Sequence, residues 1–164
     1  MLTITLPSKD KKKYSKPVTS AQIANDISKK LASEALVSIV NGEIWDLYRP
    51  IETDSTITIL TKKNKETLDI IRHDAAHIMA EAVLELFPET QVTIGPSIED
   101  GFYYDFYREK KFILSDLEVI EKRMHEIVDR DELISREVWS REKAISYFKK
   151  NNEKFKLELV NAIP

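Results

Sequence analysis

Apolar and polar residues alternate from the first residues of the chain: Leu2, Ile4 and Leu6 are separated by Thr3 and Thr5. This period of two predicts a strand, and Pro7-Ser8-Lys9-Asp10 supplies turn residues before a second run, Lys12 to Val18, so the chain opens with a hairpin. The period then changes. Ile23, Ile27 and Leu31 recur every four residues behind Thr19 or Ser20 as a cap, which predicts one helix. Strands resume at Leu36–Val40 and Glu43–Leu47 around Asn41-Gly42, a pair that tolerates the positive φ of a tight hairpin, and Thr56–Leu60 adds a last strand. Two strands, a helix, two strands, a connection and a final strand within about sixty residues is the order of a β-grasp fold, one sheet wrapped around one helix.

A polar joint, Lys62-Lys63-Asn64-Lys65, precedes a helix that starts near Glu66 or Thr67 and stops before Pro88. Its apolar residues surround most of the circumference, so a buried helix is expected. Gln91–Ile98 and Phe102–Tyr107 read as two strands joined through Glu99-Asp100-Gly101, with a break at Gly95-Pro96. Ser115 and Glu118 have the spacing of a capping box, and Leu117, Ile120, Met124, Ile127 and Val128 follow on one face of a cover helix. A strand at Leu133–Trp139, a helix capped by Ser140 and ending at Asn151-Asn152, and a stretch Lys154–Val160 open to either strand or helix complete the pattern. The fold class is α+β, divided into residues 1–62 and residues 63–164. The apolar approach to Asn161-Ala162-Ile163-Pro164 reads as a cut end, so a fragment of a longer protein is expected.

Composition narrows the function classes. The 164 residues are 42% apolar, enough to build cores, and include no cysteine, so a disulfide framework and thiolate metal sites are excluded. No apolar run approaches a membrane span and no leader pattern opens the chain, which suits a cytoplasmic protein with no membrane partner. The net charge of −3 argues against indiscriminate coating of nucleic acid. Its distribution is uneven: residues 1–65 hold eleven Lys/Arg against seven Asp/Glu, the remaining 99 fourteen against twenty-one. Lys9, Lys11, Lys12, Lys13 and Lys16 crowd the opening hairpin, either as phosphate contacts or as a solvated edge that discourages strand pairing.

The chemistry concentrates between Arg72 and Phe106. His73 and His77 lie four residues apart, one helical turn, so both imidazoles can converge on one substrate atom, one water or one metal ion. The plain alternative is a pair that serves packing alone. A zincin would carry glutamate after the first histidine, where this chain has Asp74, and a His-Asp phosphohydrolase would need a further histidine upstream, which is absent. Gly95 marks a place where another backbone or a ligand approaches, or a simple bulge. In the aromatic run Phe102–Tyr107 one face suits a core and the other offers a tyrosine to a base or sugar. His125, among Lys122, Arg123 and Glu126, reads as exposed and inert.

Taken together, the basic β-grasp module, Ile70-Ile71-Arg72-His73-Asp74-Ala75-Ala76-His77, Ile94-Gly95-Pro96 with Gly101-Phe102-Tyr103-Tyr104-Asp105, and Glu121-Lys122-Arg123-Met124 resemble the amino-terminal region of bacterial threonyl-tRNA synthetases. The resemblance covers the whole chain in the family's order and spacing. It implies a TGS domain at 1–62 and the beginning of an editing domain, which hydrolyses serine wrongly esterified to tRNA(Thr), at 63–164. By the same resemblance His73, His77 and Lys156 belong to the editing site, and Tyr104 provides a wall or hydrogen-bonding group for the terminal adenosine. Gly95 is grouped with Tyr104 as substrate-binding, and no metal ligand is expected here. The family's second editing element, Cys-x-x-x-His, has no counterpart in a chain without cysteine. The implied full enzyme attaches threonine to tRNA using ATP, holds zinc in a core beyond these residues, and dimerises through that core; the fragment itself is expected neither to ligate nor to edit efficiently. The rival reading is a stand-alone nucleic-acid or nucleotide-binding regulator built on the β-grasp module, with structural histidines.

Overall fold

Burial of Leu2 and Ile4, with the intervening threonines half-buried, sets the direction of the first strand, β1 (Leu2–Thr5). The structure is a computed structural model that describes residues 1–163. These residues form two compact units, divided between Ile70 and Ile71.

In the first unit β1 pairs antiparallel with β2 (Lys11–Tyr14), Leu2 opposite Tyr14 and Thr5 opposite Lys11. A turn holding Lys9 at φ 69°, with its N–H donating to the Leu6 carbonyl at 2.9 Å, joins the two strands. Then β3 (Val18–Thr19) leads into α1 (Ser20–Ile27) through a capping box, in which Thr19 Oγ1 accepts from Gln22 N–H and Gln22 Oε1 accepts from Thr19 N–H. The single helix expected over Ile23, Ile27 and Leu31 is two. Ser28 is extended, at φ −166°, and its hydroxyl accepts from Leu31 N–H at 3.0 Å, so it ends α1 and caps α2 (Lys29–Glu34). Ile27 is therefore 42% exposed instead of extending the buried stripe.

The remaining strands are β4 (Ala35–Val40), β5 (Glu43–Asp46), β6 (Pro50–Ile51) and β7 (Ser55–Thr61). Asn41 and Gly42 take φ 50° and 91° between β4 and β5, as a two-residue hairpin requires. The sheet order is β2-β1-β7-β4-β5, with β1 and β7 parallel, while β6 pairs with β3 in a two-residue ladder that no local pattern announced. Ile23 of α1 packs with Leu2, Ile4, Val18, Val40, Ile51 and Ile57 in one core, and a 2.7 Å bond between the Ser20 and Ser38 hydroxyls satisfies both where helix meets sheet. The β-grasp expectation holds, and the fold class is α+β.

In the second unit α3 (Thr67–Leu86) ends before Pro88, as expected, but it is not buried all round. Ala76, Ala80, Ala82 and Val83 are buried, whereas Ile71, His73, His77 and Leu84 are exposed. Alanine is apolar in a hydropathy count yet needs little covering, so Ala82 with Val83 serves one neighbour while the turn bearing His73 and His77 stays open. That neighbour is α4 (Leu114–Asp129), whose Ile120 joins Ala82 and Val83 in a core bordered by Met79, Phe87, Phe106, Phe112 and Met124. The helix begins before the expected Ser115/Glu118 box: Asp116 accepts from Ile113 N–H at 3.0 Å, so Ser115 lies inside the first turn.

The two long strands predicted at 91–98 and 102–107 are two short ladders. β8 (Gln91–Val92) pairs with β11 (Phe106–Tyr107), and β9 (Ser97–Ile98) with β10 (Gly101–Phe102). Leu133–Trp139 is not a strand. It has no regular structure, and Leu133, Ile134 and Val138 are 83%, 88% and 78% exposed. A strand needs a neighbour for its backbone groups, and none lies alongside among the described residues. Beyond it, α5 (Arg141–Lys150) is capped by Ser140, and Lys154–Val160 resolves as part of a helix, α6 (Lys154–Ala162). The Arg141 guanidinium donates to the Val160 carbonyl at 3.0 Å. His125 is exposed, and no helix of the described residues is long and apolar enough to cross a membrane.

Ile23 is fully buried, so Ile23→Ala is expected to lower the stability of the first unit by about 2–5 kcal/mol. Urea unfolding followed by Trp45 fluorescence in a Trp139→Phe background measures it.

Candidate functional site

One turn of α3 brings the two imidazoles together. His73 Nε2 and His77 Nε2 are 2.9 Å apart, with the ring centroids 4.5 Å apart and the planes at 75°. At that distance one nitrogen donates and the other accepts, so the pair has a single proton between its facing nitrogens and resists a second positive charge. The pKa of His77 lies below the ordinary imidazole value. Partial burial is the largest cause, the positive charges of His73 and Lys156 act in the same direction, and Asp74 opposes them. His77 is accordingly the neutral, proton-accepting type of imidazole at neutral pH.

Lys156 comes from α6, and Tyr104 from the irregular stretch between β10 and β11. That stretch is held to the opposite one by the Asp105 N–H donating to the Ile94 carbonyl at 2.9 Å and the Thr93 hydroxyl donating to the Asp105 carbonyl at 2.7 Å. The Tyr104 ring stacks on Phe106, centroids 4.9 Å apart and planes at 19°, and lies flat against Gly95. A Cβ at residue 95 would stand 2.1 Å from Tyr104 Cδ2. The group that approaches Gly95 is therefore the tyrosine ring, and the absence of a side chain there is a condition for the ring's position. Burial raises the pKa of the Tyr104 hydroxyl, and the nearby Glu153 carboxylate raises it further.

These residues border an open groove of about 480 Å³. His77, Ala80 and Leu84 of α3 form one side, with Val92 and Tyr104 beside them and Glu153 and Lys156 of α6 across. His73 joins the site through its bond to His77, and Gly95 stands behind Tyr104. All five residues singled out from the sequence thus lie in or against one groove.

Three carboxylates at the groove, Glu81, Glu85 and Glu153, went unnoticed in the sequence. Glu81 and Glu85 continue the four-residue spacing of the histidines along the same face of α3, a signal that was available. Arg130 grips Glu85 with two bonds of 2.8 Å and reaches Glu81 at 3.3 Å; its guanidinium holds the Glu85 carboxyl below the usual carboxylate range. No group of three or more His, Cys, Asp or Glu side chains converges on a metal position among the described residues.

Residues 2–61 match the TGS domain family. The whole chain is similar to threonine--tRNA ligases. Over all 164 residues it is 51% identical to the threonine--tRNA ligase of Rickettsia akari (strain Hartford), 52% to that of Phenylobacterium zucineum (strain HLK1) and 49% to that of Maricaulis maris (strain MCS10). It covers 26%, 25% and 26% of those proteins, so the chain spans about a quarter of the length of the curated relatives it matches.

The electrostatic arrangement predicts the titration of His77. Lys156→Met removes a positive charge and raises its midpoint, whereas Asp74→Asn removes a negative one and lowers it. Proton NMR of the imidazole C–H resonances against pH reads both shifts.

Proposed function

We propose that this chain is the amino-terminal part of a threonine--tRNA ligase acting in the cytoplasm, with the TGS domain at 1–62 and, at 63–164, the first portion of an editing domain that hydrolyses serine from mischarged tRNA(Thr). The observation that carries the proposal is the convergence of His73, His77, Tyr104 and Lys156 on one groove. The need for such a site is physical. Serine is threonine without a methyl group, and a pocket that accepts threonine penalises the missing methyl by only about 1–3 kcal/mol, so a second site must destroy the wrong product.

Each residue has a part in the proposed hydrolysis. A water held by the histidine pair attacks the ester carbonyl, and its proton passes to the pair, which His77 keeps receptive by being neutral. Negative charge develops on the carbonyl oxygen, and the Lys156 ammonium faces it. The ester C–O bond then breaks and the ribose hydroxyl leaves with a proton returned from the pair. Tyr104, set by Gly95 and Phe106, offers its ring to the terminal adenosine. In the first unit the exposed Lys9, Lys11, Lys13 and Lys16 line the hairpin edge and supply phosphate contacts to the tRNA.

The ligation of threonine, with its ATP, zinc and subunit pairing, belongs in this proposal to the regions by which the relatives exceed this chain. The donor set on these residues, two imidazoles already bonded to one another, does not fit a zinc site, and no step here is routed through a metal.

The test is deacylation of seryl-tRNA(Thr) and threonyl-tRNA(Thr) by the chain continued through the remaining regions of a threonine--tRNA ligase. Serine is expected to be removed selectively, and His73→Ala to slow its removal by about 10²–10⁴-fold. Equal treatment of the two esters, or no effect of the substitution, contradicts the proposal and favours a binding module with structural histidines.

A further inference from the structure

A separate concavity with polar walls lies in the first unit, between the end of β2, the loop into β3 and α1. Its volume is about 240 Å³, and Tyr14, Pro17, Gln22 and Asp26 border it together with Lys16 and the buried Val18. Drug-sized ligands take pockets of about 300–1,000 Å³, so this one suits a single ring system.

Its polar groups are held in place. The Tyr14 hydroxyl donates to Asp26 Oδ2 at 3.1 Å, and burial together with that carboxylate pushes the Tyr14 pKa up to about 12, so the phenol stays a donor and orients Asp26. Gln22 Oε1 accepts from Thr19 N–H in the capping box, which leaves Nε2 as the donor that Gln22 can offer. Among the described residues neither Asp26 Oδ1 nor Gln22 Nε2 has a hydrogen-bond partner. The two residues are four apart on α1, so an acceptor and a donor stand side by side on one face.

The surrounding charge decides what the acceptor takes. Lys12 Nζ donates to the Asp26 carbonyl at 3.3 Å and Lys16 lines the wall, so a cationic ligand would meet two ammonium groups. Neutral N–H donors suit the Asp26 carboxylate instead, and Oδ2 keeps a lone pair beside the Tyr14 bond. Guanine sets two such donors side by side, N1–H and the N2 amine, with the O6 acceptor next in line. Adenine and cytosine turn a ring-nitrogen acceptor toward a carboxylate, and uracil flanks its one N–H with two oxygens. The lysines favour a base that carries phosphate.

We propose that this pocket binds the guanine of a nucleotide: Asp26 accepts from N1–H and the N2 amine, Gln22 Nε2 donates to O6, the Tyr14 and Pro17 rings flank the base, and Lys16 meets the phosphate. The site lies in the first unit and does not rest on the editing reading. A free nucleotide and an unpaired guanosine in RNA share this chemistry. A Tyr14–Asp26 bond that only ties the hairpin to α1 would make no choice among bases.

The experiment titrates the 164-residue chain with nucleotides and follows its backbone amides by nitrogen-15 NMR. Guanosine 5′-monophosphate is expected to move the signals of residues 15–18, Gln22 and Asp26, and to bind roughly tenfold or more tightly than adenosine 5′-monophosphate. Inosine 5′-monophosphate, which lacks the N2 amine, is expected to fall between them. Asp26→Asn is expected to abolish the order of preference, whereas Lys16→Ala is expected to weaken all three ligands and flatten their dependence on salt. A single-stranded RNA trinucleotide with a central guanosine separates the two sources: tighter binding than guanosine 5′-monophosphate assigns the site to RNA, weaker binding assigns it to a free nucleotide, and both uphold a guanine site.

Equal binding of the three monophosphates by the unsubstituted protein, or no binding of any, overturns the proposal without reliance on the variants folding. Survival of the guanine preference in Asp26→Asn overturns it as well.

Discussion

Everything at the groove depends on how little of α3 is buried. Ala82 and Val83 pack with Ile120 of α4, while Ala80 lies on the groove side beside His77. Larger apolar residues at Ala76 and Ala80, beside the histidines on the helix, would demand cover and enclose the face that bears His73 and His77. A narrow contact instead leaves that face to solvent. The same helix geometry that brings the imidazoles to 2.9 Å carries Glu81 and Glu85 onward along the face, where Arg130 of the adjoining helix end neutralises them. Packing and electrostatics are thus settled by one choice of residues.

The opposite wall depends on a second constraint, the absence of a side chain at Gly95. Two continuous strands from Gln91 to Tyr107 would alternate their residues regularly and leave no room for a ring laid flat on the backbone. The ladders are interrupted instead, and Tyr104 occupies the interruption, supported from below by Phe106. Irregular backbone here is bonded, by Asp105 N–H and the Thr93 hydroxyl, so the ring has a fixed seat. From α6, Lys156 and Glu153 then give the groove its two signs of charge.

The first unit was legible because its signals are local: the Thr19–Gln22 box and the Asn41-Gly42 turn each need only a few residues to be recognised. Ser28 was missed because a serine at helical spacing reads as tolerated until its hydroxyl is seen capping the next helix. The length of α3 was written in Pro88, but its exposed face was not, since alanine scores as apolar whether or not it is covered. Leu133–Trp139 has the β-branched and aromatic residues of a strand without a partner to make it one. At the site, the histidine pair followed from spacing alone and Lys156 and Tyr104 only from family resemblance. Arg130 and Glu153 act through contacts far apart in the chain, which no local pattern contains.

The account stands or falls on the histidine pair acting as one proton-sharing unit. Nitrogen-15 NMR of the imidazoles at neutral pH tests this most directly. It predicts one protonated and one unprotonated Nε2, with a coupling across the bond between them. Two rings each protonated at Nε2, with His77 nitrogen shifts indifferent to His73→Ala, would contradict it.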